Sequence, residues 1–189
     1  MRHLARIEAS VNQLNAILEE FLSVGRIEER KIDAHPGNLN LTSLVRDTVA
    51  DVQSLLKAGQ VIDWQVVCPV PVWLDASLLR KILMNLLSNS LKYSGQNSVI
   101  TVRAGCQPKQ LTITVQDQGV GISQEDQAHL FEQFFRAPSV VSEPGTGLGL
   151  YIIAKYVELM GGTIDLHSIL GEGTLVTIRL PLSTPDYGR

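Results

Sequence analysis

Apolar residues recur at alternating steps of three and four from the start of the chain: Leu4, Ile7, Val11, Leu14, Leu18 and Phe21. That spacing is the seam of an amphipathic helix, sustained over nearly three heptads. Glu8, Asn12, Gln13, Asn15, Glu19 and Glu20 fall off the seam. A stripe this narrow and regular fits a helix packed in a bundle or dimer better than one lying on its own domain. Gly25 and the charged run Arg26 to Lys31 end or loosen the pattern. The turn-rich stretch Ala34 to Leu41 predicts a boundary. The organisation expected is a helical segment over residues 1–30 and a separate domain over 31–189.

The second part alternates helical and strand patterns. Leu44, Val45, Val49, Val52, Leu55 and Leu56 predict a helix from Thr42 that stops near Gly59. Val61 to Val67 reads as a strand, and Val72 to Leu74 as a short one after Pro71. Asp75 is placed as the N-cap of a helix from Ala76 to Tyr93. Val99 to Ala104 and Leu111 to Val115 form a hairpin around Gln107-Pro108-Lys109. A last helix, Leu148 to Met160, ends at Gly161-Gly162. A second hairpin joins Thr163 to His167 with Leu175 to Leu180 around Gly171-Glu172-Gly173. Between Asp117 and Gly147 lies a long Gly-, Pro- and Ser-containing stretch with an apolar island, FEQFF. Loops of this length inside a domain are usually functional. Helices mixed with mostly antiparallel strands predict an α+β fold, a two-layer α/β sandwich preceded by an amphipathic helix.

Composition narrows the picture. The chain has 189 residues, 44% hydrophobic and 19% charged, which is globular rather than disordered. A net charge of −3 counts against a general nucleic-acid binder and a polybasic membrane-surface protein. Cys68 and Cys106 have neither CxxC spacing nor a histidine cluster beside them. They exclude a disulfide framework and a zinc finger and suit a reducing, cytoplasmic compartment. The longest apolar run, Val66 to Leu74, is nine residues with two prolines, too short to span a bilayer. No apolar h-region opens the chain.

Three features carry chemistry. On the helix LRKILMNLLSNSLKYS, Asn85, Asn89 and Lys92 stand at i, i+4 and i+7 and share one polar stripe. A carboxamide oxygen suits Mg²⁺, and a lysine one turn on suits phosphate. Alone, such a stripe is an ordinary solvated face. Asp117-Gln118-Gly119-Val120-Gly121 ends a strand. Its glycines let backbone approach a ligand, and its carboxylate can accept a bond from an exocyclic amine such as that of adenine. Alone, it is a common turn. Gly145-Thr146-Gly147-Leu148-Gly149-Leu150 opens a helix, where a glycine-rich turn presents amides to an anion. Its spacing is neither GxGxxG nor a P-loop. The three together point to nucleotide far more strongly than any one.

These residues resemble the catalytic, ATP-binding domain of bacterial sensor histidine kinases. That domain shares a superfamily with DNA gyrase, a heat-shock chaperone and mismatch-repair ATPases. NLLSNSLKYS resembles its N box, DQGVGI its first glycine box, FEQFFR its F box, GTGLGL its second glycine box and GEGT its last glycine motif. All occur in the family's order, and the resemblance runs from about Gly25 to the end. Met1 to Ser23 resembles, less specifically, the second helix of the dimerisation and histidine-phosphotransfer hairpin. The fold implied is the Bergerat-type sandwich, and the cofactors implied are ATP and Mg²⁺.

Carried over by position, the resemblance implies Asn89 as the Mg²⁺ ligand, Lys92 at phosphate and Tyr93 beside adenine. Asp117 would bind the adenine amino group, with Gly119, Gly121 and Ile122 around it and the Thr174 hydroxyl nearby. Phe131, Phe134 and Arg136 would belong to a mobile lid, with Arg136 counted beside Asn85 and Lys92 as catalytic. Gly145, Gly147 and Gly149 would hinge the lid and, with Thr146, Leu148 and Leu150, hold phosphate. Hydrolytic members carry a glutamate where this chain has Asn85, so the expectation is weak hydrolysis and transfer to a better nucleophile.

The family's phosphoacceptor motif, the H box, is absent. His3 lacks an adjacent carboxylate, and His35, His129 and His167 lie in unrelated contexts. The chain therefore reads as a kinase core without its acceptor helix, either excised from a longer protein or having lost it. It is expected to bind ATP, to dimerise through its first helix and to work with a response regulator. It should not phosphorylate itself on a family-type histidine. The other readings are an ATP-sensing interaction module and a serine kinase acting on a sigma-factor regulator. No nucleic acid and no membrane contact are expected, although the parent protein could be membrane-anchored.

Overall fold

The computed structural model describes residues 2–29, 31–69, 71–141, 143 and 145–182. The side chains of His3, Leu4 and Ile7, and residues Met1 and Pro144, lie outside the described residues.

Helix α1 spans Arg2–Glu28 and passes through Gly25 instead of ending there. A glycine inside a helix costs about 0.5–1 kcal/mol. Burial of Val24 and the packing of Ile27 on the core offset it. The seam residues Val11, Leu14, Leu18 and Phe21, with Leu22, remain exposed on the described surface.

The predicted boundary contains a strand, β1 (Gly37–Leu39). Helix α2 runs Leu41–Asp51, capped by Asn40, whose side chain accepts from the Ser43 amide at 2.9 Å. It stops well before Gly59. A short 3-10 turn, Gln53–Leu55, follows and takes the chain toward strand β2 (Val61–Val67). Strand β3 (Val72–Leu74) pairs antiparallel with β1. Helix α3 is Ala76–Tyr93, and Asp75 caps it as expected, accepting from the Ser77 and Leu78 amides at 2.8 and 3.0 Å. Then come β4 (Val99–Gln107), β5 (Gln110–Gln116), the short α4 (Gln124–Gln127), α5 (Gly149–Leu159), β6 (Thr163–Ile169) and β7 (Gly173–Pro181).

Five strands form one sheet in the order β2-β4-β5-β7-β6. Only β2 and β4 are parallel; the rest of the ladder is antiparallel. Alternation along the strands sends Ile100, Val102, Leu111, Ile113, Val115, Val176, Ile178 and Leu180 inward. There they meet Leu79, Ile82, Leu83, Leu87 and Leu91 of α3 and Ile153 and Val157 of α5. The opposite registers of the same strands hold Thr101, Arg103, Thr112, Thr114, Thr177 and Arg179, none of them fully buried. The result is the expected two-layer sandwich, with helices on one face.

The end of α3 is held by residues from the α2–β2 connection. Lys57 Nζ donates to the carbonyls of Lys92 and Ser94, both at 2.7 Å. The buried Gln60 amide donates to the carbonyls of Leu91, Ser94 and Gly95 at 3.2, 3.2 and 2.9 Å. Carbonyls left over at a helix end need such donors when water is excluded.

The two cysteines correct the expectation of unpaired thiols. Cys68 and Cys106 form a disulfide, their Cα atoms 4.9 Å apart. The parallel register places Val67 opposite Gly105, so the next residue of each strand lies side by side. Spacing in sequence gave no sign of this, because the pairing is made by the register. The bond closes a loop with a separation of 38 residues. A loop of that size is worth about 2–4 kcal/mol through the unfolded chain. Reduction, or Cys68→Ser, is expected to lower the melting temperature by about 5–12 °C. Calorimetry with and without reductant checks this, and an unchanged midpoint would mean the thiols are not joined in solution.

Candidate functional site

The polar stripe of α3 meets the glycine-rich start of α5. Asn89 Nδ2 donates to Asn85 Oδ1 at 3.0 Å, and Asn85 Nδ2 donates to the Gly149 carbonyl at 3.4 Å. A β-carbon on Gly149 would lie 2.9 Å from Asn85 Oδ1, so glycine sets how closely the helices approach. One turn further on, Lys92 Nζ lies 3.1 Å from the Tyr93 hydroxyl and 4.7 Å from its ring centroid. Gly145 passes beside that ammonium group.

Asp117 follows β5 and is fixed by backbone. Its Oδ1 accepts from the Gly119 and Thr174 amides at 2.9 and 3.2 Å, and its Oδ2 from Ser90 Oγ at 3.3 Å. Its own amide donates to the Thr174 carbonyl at 2.9 Å. Burial pushes its pKa above the usual carboxylate value, against the opposing pull of these three bonds. Gly173 is in the left-handed region, φ +128°, where a β-carbon would strike the Asp117 carbonyl. Gly121, φ +66°, is pressed against the Ile169 carbonyl in the same way.

A second knot of hydrogen bonds lies behind Asp117. Ser168 Oγ accepts from the Ile122 amide at 2.9 Å, donates to the Gly173 carbonyl at 2.7 Å and lies 2.9 Å from Thr174 Oγ1. Gln127 Nε2 donates to the carbonyls of Ile122 and Ser168, both at 2.9 Å.

These pieces surround one cavity of about 990 Å³. Asn85, Asn89, Lys92, Tyr93, Asp117, Gly121, Ile122, Arg136, Gly145, Thr146, Gly147, Gly149, Leu150 and Thr174 all line it. Gly119, Phe131 and Leu148 do not. Gly119 packs under the Tyr93 carbonyl, and Leu148 is fully buried in the core. Leu130 and Phe135, on either side of the expected nucleotide-contacting Phe131 in sequence, are in the lining. Arg136 turns its guanidinium to the carbonyls of Val140, at 2.9 Å, and Glu143. His35, His129 and His167 are not in the lining.

Sequence reasoning missed Ser90, Ser168, Gln127, Lys57 and Gln60. Two of them had a signal. Ser168 occupies the inward register of β6 after Ile164 and Leu166, and Ser90 lies on the buried side of α3 among leucines. A polar residue at an apolar position is the mark of a hydrogen-bonded partner. Among the described residues no group of three or more His, Cys, Asp or Glu side chains is placed to hold a metal. No described helix is long and apolar enough to cross a membrane.

Comparison with known proteins places this geometry. GacS, a sensor protein of Pseudomonas syringae pv. syringae, is 34% identical over 196 residues, covering 97% of this chain and 22% of its own length. PmrB, a sensor protein kinase of Pseudomonas aeruginosa, is 29% identical across 100% of this chain and 40% of its own length. The chain thus spans about a fifth of GacS, and its homologues are sensor histidine kinases. The crystal structure of full-length ShkA in complex with AMPPNP superposes with a TM-score of 0.83 at 24% identity, covering 96% of this chain and 38% of ShkA, which establishes the shared fold. Residues 74–184, from the end of β3 through β7, match the model of the histidine kinase-, DNA gyrase B- and HSP90-like ATPases, and the chain belongs to that family.

Proposed function

We propose that the chain is the nucleotide-binding catalytic core of a sensor histidine kinase, which takes the γ-phosphate of ATP and delivers it to a histidine on an acceptor helix. The observation that carries this reading is what the lining of one cavity brings together. It holds a backbone-fixed carboxylate, Asp117, and also a lysine, a carboxamide pair and a glycine-rich helix start. Adenine offers an amine donor and ATP a chain of anions, and the lining has a partner for each.

In this reading Asp117 accepts the adenine amino group, and Thr174, Gly121 and Ile122 shape the base pocket. Tyr93 covers its edge. The site suits Mg²⁺ by its donor set. The Asn89 nitrogen is used on Asn85, leaving the carboxamide oxygen, a hard ligand, for the ion. Mg²⁺ would neutralise phosphate charge. Lys92 and Arg136 supply positive charge nearby, and the amides of Gly145 to Gly149 receive phosphate oxygens. Asn85 has no basic atom with which to activate water, so transfer rather than hydrolysis is the reaction supported. A response regulator would be the later recipient, and a second copy the partner of the exposed α1 seam.

Asp117→Asn is expected to weaken binding of an ATP analogue at least tenfold, because a donor would then face the adenine amine. Calorimetric titration of both proteins measures it, and equal affinity would remove the adenine assignment. Asn89→Ala is expected to keep metal-free nucleotide binding and lose its enhancement by Mg²⁺. Identical Mg²⁺ dependence in the variant would exclude Asn89 as the ligand. Affinity is also expected to fall with acid. The base-binding form of Asp117 is the carboxylate, and its pKa is raised, so protonation removes binding at a higher pH than for an ordinary aspartate. Nucleotide titrations at descending pH test the sign, and Asp117→Asn should flatten the profile. Acid-labile phosphate appearing on an added acceptor helix would establish transfer. Binding without it would favour an ATP-sensing module.

A further inference from the structure

Behind Asp117 the proton of each hydroxyl can be assigned from the partners around it. A serine or threonine hydroxyl has one proton to give and two lone pairs with which to accept. Ser168 Oγ lies 2.7 Å from the Gly173 carbonyl, which can only accept, so the serine's single proton goes there. The Ile122 amide donates to Ser168 Oγ at 2.9 Å and takes one lone pair. One lone pair remains, and the Thr174 hydroxyl lies 2.9 Å from it. Thr174 is therefore the donor of that contact. Ser168 is buried, and Gln127 Nε2 ties its carbonyl to that of Ile122, which holds the hydroxyl among these partners.

Thr174 and Asp117 both line the cavity and are neighbours, the Thr174 amide donating to Asp117 Oδ1 at 3.2 Å. Asp117, as a carboxylate, has only lone pairs to offer. Thr174, with its proton spent on Ser168, has only lone pairs too. Ser90, also in the lining, spends its own proton on Asp117 Oδ2 at 3.3 Å. Three adjoining polar side chains thus offer the cavity acceptors and no proton. Ser168 itself is not in the lining.

We infer that Ser168 is a specificity-determining positioning residue: by taking the Thr174 proton it makes this wall accept only, and so selects a 6-amino purine over a 6-oxo purine. The inference rests on the cavity being an ATP site with its base on Asp117. A 6-amino group carries two N–H bonds, and such a wall accepts from it. A 6-oxo group brings lone pairs against lone pairs, and neither Asp117 nor Thr174 has a proton to place between them. A threonine free to turn its hydroxyl would relieve that clash by donating to the oxygen. Ser168 removes this freedom from behind, without touching the nucleotide.

The test compares ATP with inosine triphosphate, its 6-oxo counterpart, by calorimetric titration of the full chain with Mg²⁺. The unaltered chain is expected to prefer ATP. Ser168→Ala frees the Thr174 proton and is expected to narrow the ratio of the two affinities about fivefold. Ser168→Cys, close in size and a poor acceptor, is expected to narrow it in the same direction and replaces the alanine protein if that one does not fold. With Thr174→Val there is no proton to redirect, so adding Ser168→Ala is expected to leave the ratio of that variant unchanged. Equal affinity of the unaltered chain for both triphosphates would overturn the inference and leave the ATP site standing. So would a Ser168→Ala loss that falls equally on both, or the same narrowing in the Thr174→Val background. Failure of the unaltered chain to bind ATP, or undiminished binding by Asp117→Asn, would overturn both.

Discussion

A carboxylate withdrawn from water persists as a charge only where donors are brought to it. Asp117 depends on two donors that are backbone amides, and the fold around the cavity follows from supplying them. Thr174 reaches it because β5 and β7 pair in a register that opposes Gln116 with Leu175. Gly119 reaches it because the chain turns back at once after β5. That turn is closed by the Tyr93 carbonyl, which accepts from Val120, and by the bridge between Ser94 and Gly119. The position of the carboxylate is thus tied to the last turn of α3. That turn is fixed in its own right by Lys57 and Gln60. Strand register, helix end and glycine turn are one construction, and a shift in any would leave the charge short of a partner.

The same economy explains the glycines. Those that matter sit where two backbones touch: Gly121 against Ile169, Gly173 against Asp117, Gly147 against Phe134 and Phe135. At each of these φ is positive, so both the space and the conformation exclude a larger residue. These contacts bring the first glycine box against the β6–β7 turn and the second glycine box against Phe134 and Phe135, though the partners lie far apart in sequence.

The parts of this protein written in local pattern were legible before any coordinates. The α3 stripe, the Asp75 cap, the two hairpins of the sheet and the two glycine-rich turns all follow from spacing along one segment. What the sequence did not display is what depends on segments meeting. Strand β1 hides among turn residues because only β3 makes it a strand. Helix α2 ends at Asp51 although its apolar pattern continues, because the chain must return to the end of α3. Helix α1 continues past Gly25 because a core lies beside Val24. The Cys68–Cys106 pair exists because β2 and β4 run parallel in one register. Gln60 carries no local signal and is a buried clamp. In the site, residue types were readable and partners were not: Asp117 stood out, and Ser90 and Ser168 did not.

Asn85 joins structure to reaction most directly. Its side chain donates to the Gly149 carbonyl and accepts from Asn89, so it must be donor and acceptor at once. A glutamate at this position, ionised, could only accept. It would face the Gly149 carbonyl with like partial charge and lose the bond between α3 and the start of α5. The carboxamide therefore suits the way the two helices meet, before any question of catalysis arises. Under the proposed function, in which the glycine-rich turn takes phosphate and the α3 stripe holds Mg²⁺, this amide leaves no base at the position to activate water. The chemistry of that proposal then falls to a nucleophile brought to the phosphate from outside.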